Sequence, residues 1–219
     1  MLKDIEKIEV LNKLVDYYGY QNWWEDDNRV SDWVYMILIQ QTTEKNAETA
    51  VKNLESYMTM EQLVSLDIEK LQQFIRPSGF YRQKSYAIKA LMQWFQTRGG
   101  DLNIFKEYET QRLRKELLAL RGIGPETADA MLLYIFERNV FICDQYAMRL
   151  FTRLGCGPYK KYQTMQKDFC HLVDNIPLKL CKEWHAVIDV HGKHVNANIA
   201  LDERYLLTPK NKEKEKKEW

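Results

Sequence analysis

Glycine and proline are scarce in this chain, nine and five in 219 residues. Few residues therefore oppose regular helix, and such a composition suits a compact helical protein. Cysteine is also sparse. Cys143, Cys156, Cys170 and Cys181 show no CxxC spacing, which argues against a zinc site or a disulfide framework and for reduced thiols inside a cell. No apolar run approaches the roughly 20 residues that span a bilayer, so no membrane partner is expected. The charged N-terminus MLKDIEKIEV is no signal peptide. Neither charge sign dominates: the net charge is +1, so any hold on nucleic acid must come from a local patch and from backbone amides.

What is present is helical periodicity. Ile5, Ile8, Leu11, Val15 and Tyr18 share one face, and Gly19 stops that helix. Ser31 is the expected cap of a helix from Asp32 to about Gln40. Its stretch Trp33–Ile39 is apolar all round, as in the centre of a bundle. A buried strand competes there, but without strand partners the helix is preferred. Thr43 caps the helix bearing Ala47, Ala50, Val51 and Leu54. Thr59-Met60-Glu61-Gln62 reads as a capping box, and Asp67 caps a short helix ending near Phe74. Arg76–Tyr81 is a turn. A long helix with Ala87, Leu91, Trp94 and Phe95 inward then runs to Arg98, before Gly99-Gly100. Past Gly157-Pro158, a helix bears Met165, Phe169, Leu172 and Val173. Pro177 opens the last one, with Cys181, Trp184, Val187, Ile188 and His191, and Asn211–Trp219 reads as a solvated tail. With no convincing sheet, the fold class is all-α.

The chain is organised around Leu117–Leu154. A helix ends at Leu120, Arg121-Gly122-Ile123-Gly124 turns sharply, and Pro125 opens a new helix at the position where its missing N–H costs nothing. Ile123 plugs the core, while the outward amides of the turn and the helix start form a nest suited to phosphate. Asp144 follows the link Val140–Cys143 and is a natural N-cap for the next helix, which carries Tyr146, Leu150 and Leu154.

Leu120–Ala128 resembles the helix-hairpin-helix of the endonuclease III superfamily of DNA glycosylases. Asp144 falls where that family keeps its catalytic aspartate. Glu126, eighteen residues earlier, takes the place of the lysine of bifunctional members. The resemblance covers about Val30 to Lys193. It implies two helical domains, 30–137 as a helical barrel ending in the hairpin, and 1–29 with 138–219 as the second, with the substrate cleft between them.

The resemblance assigns roles to single residues. Gly122, Ile123 and Gly124 would anchor a DNA phosphate, and the carbonyls of Leu118, Leu120 and Ile123 would hold an alkali-metal ion, a hard cation suited to oxygen donors. Gln41 would fill the gap left by an extruded nucleotide, and Phe80 would wedge the opposite strand. Trp23 and Trp24 are either a hydrophobic latch or a stacking platform. A tryptophan pair here is similar to the 3-methyladenine glycosylase branch, and a cationic alkylated purine would stack on it. Tyr35 belongs to that pocket or to the core. Glu126 favours the helix N-terminus or lines the pocket, and Lys193 contacts a phosphate, the pocket or solvent. Arg149, Arg153, Lys160 and Lys161 are candidates for a local basic patch.

Main-family members end in four cysteines holding a [4Fe–4S] cluster. With no cysteine after Cys181, no cluster is expected and no other cofactor is required. His191 and His194 lack the further ligands of a metal site. A glutamate cannot form a Schiff base, so the resemblance implies a monofunctional glycosylase without lyase activity, acting on alkylated purines such as 3-methyladenine in base excision repair. The expected setting is a cytoplasmic monomer on damaged duplex DNA, at the nucleoid in a bacterium. A mismatch or oxidised-base glycosylase and a non-catalytic hairpin DNA-binding protein are the alternatives.

Overall fold

The computed structural model describes residues 2–23, 29–196 and 203–208. The described residues are helical, without strands. In chain order the α-helices are α1 (Asp4–Tyr18), α2 (Arg29–Leu38), α3 (Glu44–Asn53), α4 (Met60–Ser65), α5 (Ile68–Ile75), α6 (Tyr81–Gln96), α7 (Thr110–Leu118), α8 (Pro125–Tyr134), α9 (Gln145–Arg153), α10 (Tyr162–Phe169), α11 (Leu178–Asn196) and α12 (Arg204–Leu207). The chain divides into two compact units, Glu25–Arg138 and Met1–Trp24 with Asn139–Trp219.

In the unit 25–138, α2 packs against α3, α6 and α8, and Trp33 through Leu38 are all buried or half-buried. The all-round apolar pattern thus marks a central helix. Trp33 meets Phe95 at 4.7 Å and Phe136 at 5.5 Å between ring centroids, and Phe105 stacks on Trp94 at 5.1 Å. The caps Thr43 and Asp67 form as expected, accepting from the N–H of Asn46 and from those of Glu69 and Lys70. Two local expectations fail. Ser31 lies inside α2, which already begins at Arg29, so it is no cap. Thr59 caps α4, but Gln62 does not close the box; its amide donates to the Ser56 carbonyl at 3.2 Å, a nearer acceptor in the preceding turn.

In the other unit α11 packs on α1 and α9. Trp184 is buried and its indole N–H donates to Asn12 Oδ1 at 3.0 Å, while Phe141, Phe151 and Phe169 form a second aromatic cluster. Ile5 is 61% exposed; Val10, Leu11, Leu14 and Val15 make the buried face of α1, with Lys7 and Lys13 inside it. Lys13 explains its own burial, since Nζ donates to the carbonyls of Tyr205, Leu206 and Thr208 and so ties down α12. Among the described residues, the helix after Pro177 is followed by this further turn. Glu203 accepts two hydrogen bonds from Arg153, at 2.9 and 2.7 Å, and lies 2.7 Å from His191 Nε2. That pairing takes Arg153 out of the expected basic patch, while Arg149, Lys160 and Lys161 are exposed. The tail Asn211–Trp219 lies outside the described residues.

Candidate functional site

The hairpin joins α7 to α8. Gly122 carries the turn at φ 84, a left-handed value that glycine alone adopts without strain. A Cβ there would lie 2.7 Å from Ala87 Cβ, so the turn is pressed against α6. Ile123 is buried, and its N–H donates to the Leu120 carbonyl at 3.2 Å. Gly124 is different. Its φ of −89 suits any residue and nothing stands within 4 Å of an added Cβ, so glycine there leaves open space rather than relieving strain. Pro125 opens α8, whose first-turn N–H groups have no acceptor within the helix. Glu126 is exposed in that first turn. Arg114 grips Asp129 through two bonds of 2.6 and 3.1 Å, locking the two arms of the hairpin together.

Gln41, Phe80 and Gly122 come together around one hollow of about 200 Å³, completed by Gln40, Gln83, Lys84 and Ala87. Gln41 at φ 51 and Phe80 at φ 44 both hold the left-handed conformation, which costs a side-chain-bearing residue roughly 1–2 kcal/mol. Phe80 is 58% exposed, an apolar ring offered to solvent, and Gln41 is also exposed.

Two residues that sequence reasoning missed hold this rim. Gln40 donates to the Gly122 carbonyl at 3.3 Å and to Thr127 Oγ1 at 2.9 Å, linking the end of α2 to the hairpin. Lys84 is buried on α6 and donates to the Leu38 carbonyl at 2.8 Å and the Ser78 carbonyl at 2.7 Å. Burial pulls its pKa down to about 8. One ammonium thus binds the segments leading into both left-handed residues. The signal was available: Lys84 falls on the same apolar stripe as Ala87, Ile88 and Leu91.

In the other unit, Asp144 caps α9, accepting from the Ala147 N–H at 2.7 Å. It is largely buried, but its side chain keeps 11% of its surface accessible. Its second oxygen lies 3.6 Å from Nε2 of His185 on α11, a residue the sequence did not single out. Trp23 is 46% exposed and stands edge-on to His185, 6.3 Å between ring centroids. Its loop is held by Glu183, which is fully buried and accepts from the N–H groups of Gln21 and Asn22 at 2.7 and 3.1 Å. Lys193 pairs with Asp189 at 2.8 Å and lies 5.9 Å from the Trp23 ring. Trp24 lies outside the described residues, and Tyr35 is half-buried on α2.

Leu118 and Leu120 flank the end of α7 and Ile123 lies in the turn, so their three carbonyl oxygens are the donor type an alkali ion takes. The Leu120 carbonyl already accepts one N–H and has a second lone pair. Among the described residues, no group of three or more His, Cys, Asp or Glu side chains could hold a metal ion. His191 uses both ring nitrogens, on Tyr18 and Glu203. Cys143, Cys156 and Cys181 are buried, Cys170 is exposed and all are free thiols; burial pushes the Cys181 thiol up to about 12. No helix among the described residues is long and apolar enough to cross a membrane.

Residues 34–175 match the model of the HhH-GPD superfamily base excision DNA repair proteins. A putative DNA repair glycosylase of Methanocaldococcus jannaschii is 38% identical over 206 residues, covering 89% of this chain and 92% of that relative. In fold, the chain is similar to the 3-methyladenine DNA glycosylase MagIII of H. pylori bound to 1,N6-ethenoadenine, with a TM-score of 0.70, 23% identity and coverage of 91% and 100% of the two chains. It is also similar to endonuclease III trapped as a covalent DNA intermediate, with a TM-score of 0.67, 22% identity and coverage of 86% and 85%. The hairpin, the matched span and the relative from M. jannaschii agree, and the chain belongs to the HhH-GPD superfamily of base excision DNA repair proteins.

Proposed function

We propose that this protein is a monofunctional DNA glycosylase that hydrolyses the N-glycosidic bond of alkylated purines, 3-methyladenine first among them, in damaged duplex DNA. The observation that carries the reading is the exposed carboxylate of Glu126 in the first turn of α8, where a lyase would present an amine. A carboxylate cannot condense with the sugar aldehyde, so base release leaves an intact abasic strand.

The hairpin grips a phosphate through the amides around Gly122–Gly124. The carbonyls of Leu118, Leu120 and Ile123 would hold an alkali ion there, which supplies positive charge toward the phosphate oxygens. Gln41 fills the gap left by the extruded nucleotide and Phe80 wedges the opposite strand, each pre-set by its left-handed backbone. Trp23 offers an aromatic face to a cationic base, an attraction of about 0.5–2 kcal/mol. Asp144 sits at the positive end of α9, and its negative charge stabilises the sugar cation that builds as the bond breaks. An alkylated purine is already a good leaving group, so the site needs no acid for it. We further propose that the protein acts as a monomer in the cytoplasm and without an iron–sulfur cluster.

Mass spectrometry of bases freed from methylated duplex DNA tests this reading. Release of 3-methyladenine, with no adduct trapped by borohydride, is the expected result. Excision of oxidised pyrimidines without release of methylated purines would overturn the substrate assignment, and a borohydride-trapped adduct would overturn the assignment of Glu126.

A further inference from the structure

We infer that His185 takes the proton from the water that attacks the sugar, leaving Asp144 ionised beside it. This rests on the glycosylase reading above and divides the work of its site between two groups.

The two oxygens of Asp144 are not equivalent. Oδ1 is occupied by the Ala147 N–H at 2.7 Å, while Oδ2 faces His185 Nε2 at 3.6 Å. That separation is long for a direct hydrogen bond, and a water beside the pair, about 2.8 Å from each atom, would touch both groups. Both groups are reachable, since 11% of the Asp144 side chain and 19% of the His185 side chain stay accessible. His185 is also braced. Trp23 stands edge-on to its ring, and the loop carrying Trp23 is anchored by Glu183, two residues before His185 on α11. The head of α9 is drawn onto α11 at Gly192, where a Cβ would lie only 2.1 Å from the Tyr146 ring.

Chemistry favours the division. A carboxylate that balances a sugar cation must stay charged while the C1′–N bond opens. A carboxylate is also the weaker base of the two toward a water proton. A neutral imidazole is the stronger base and the better match for that proton. In the step, the C1′–N bond breaks and its electron pair leaves with the alkylated purine, which departs neutral. The water oxygen bonds to C1′, its proton passes to His185 Nε2, and the imidazolium returns that proton to solvent.

Among the described residues, Asp144 at the head of α9 faces His185, and α11 itself carries Lys182 one turn before it, Glu183 bound to the Trp23 loop and Asp189 one turn after. Lys193 is paired with Asp189 and reaches the far side of Trp23. Tyr18 on α1 is turned to His191 and His194 further along.

Single-turnover release of methylated purines from dimethyl-sulfate-treated duplex DNA decides the matter, followed from pH 5.5 to 8.5 after subtracting spontaneous loss. Compared are the unmutated protein, His185→Gln and Asp144→Asn. The unmutated rate should climb about tenfold per pH unit below the imidazole range and level off above it. His185→Gln should be about 100-fold slower near pH 7.5 with that limb gone, while DNA binding and melting temperature hold. A His185→Gln rate within threefold of the unmutated one, beside a crippled Asp144→Asn, sinks this inference alone. A flat unmutated profile sinks it too, even if the variant fails to fold. No release by the unmutated protein removes the glycosylase reading and this one with it.

Discussion

Asp144 has two duties that substitution can separate. As an N-cap it accepts from the Ala147 N–H at 2.7 Å, and as an anion it would face the sugar cation. Asparagine caps as well as aspartate but carries no charge. Asp144→Asn should therefore hold the melting temperature within about 1–2 °C. Asp144→Ala, which loses the cap, should cost about 1 kcal/mol, or roughly 2–4 °C for a chain of this size. The catalytic effect is larger. Two unit charges about 4 Å apart at an effective dielectric constant near 20 attract by about 4 kcal/mol, which corresponds to a rate factor of roughly a thousand. Both substitutions should thus lower single-turnover base release by about 10³, while binding to an uncleaved duplex changes little. Differential scanning fluorimetry reads the first effect and mass spectrometry of freed bases the second. An Asp144→Asn protein that keeps activity within tenfold would refute the electrostatic argument and leave only the cap.

Glu126→Lys should supply the missing amine, giving a borohydride-trapped adduct on abasic duplex that the unmutated protein does not form, at a stability cost of about 0.3–1 kcal/mol from a cation at a helix N-terminus. Gly122→Ala should destabilise by about 2–4 kcal/mol, because it combines a left-handed φ of 84 with a Cβ 2.7 Å from that of Ala87. Adding Ala87→Gly should recover the steric part and not the backbone part, as chemical denaturation would show. Lys84 gives a pH signature. Its folded pKa lies near 8, below the ordinary 10.5, so between these values the unfolded chain holds more protons and stability rises with pH. The gap is worth at most about 3 kcal/mol, so the stability of the unmutated protein should gain about 1–3 kcal/mol on that of Lys84→Met across the window. Parallel stability curves for the two proteins would refute the assignment of that titration to Lys84.

The hairpin was legible in the sequence because its determinants are local. A glycine that must turn left-handed, an isoleucine that plugs and a proline at the first helical position all lie within four residues, and each acts on its immediate neighbours. The caps Thr43, Asp67 and Asp144 were readable for the same reason, whereas Ser31 shows that a good cap residue does not start a helix when upstream residues already continue it. What the sequence concealed acts over long separations. Lys84 reaches the Leu38 carbonyl 46 residues away, Gln40 reaches Gly122 across 82, and Glu183 holds the Trp23 loop across more than 160. Periodicity assigns Gln40 and Glu183 to solvent, whereas the apolar stripe gives the burial of Lys84 but not what its ammonium binds. Their placement carries the physical logic of the site. Left-handed backbone at Gln41 and Phe80 costs energy that no local contact returns, so it persists only where the surrounding structure over-determines it. The Lys84 ammonium, itself costly to bury, supplies that constraint by binding the Leu38 and Ser78 carbonyls, whose segments lead into those two residues. A buried charge and two strained side chains are individually unfavourable, and together they fix a glutamine and a phenylalanine on the rim of one hollow.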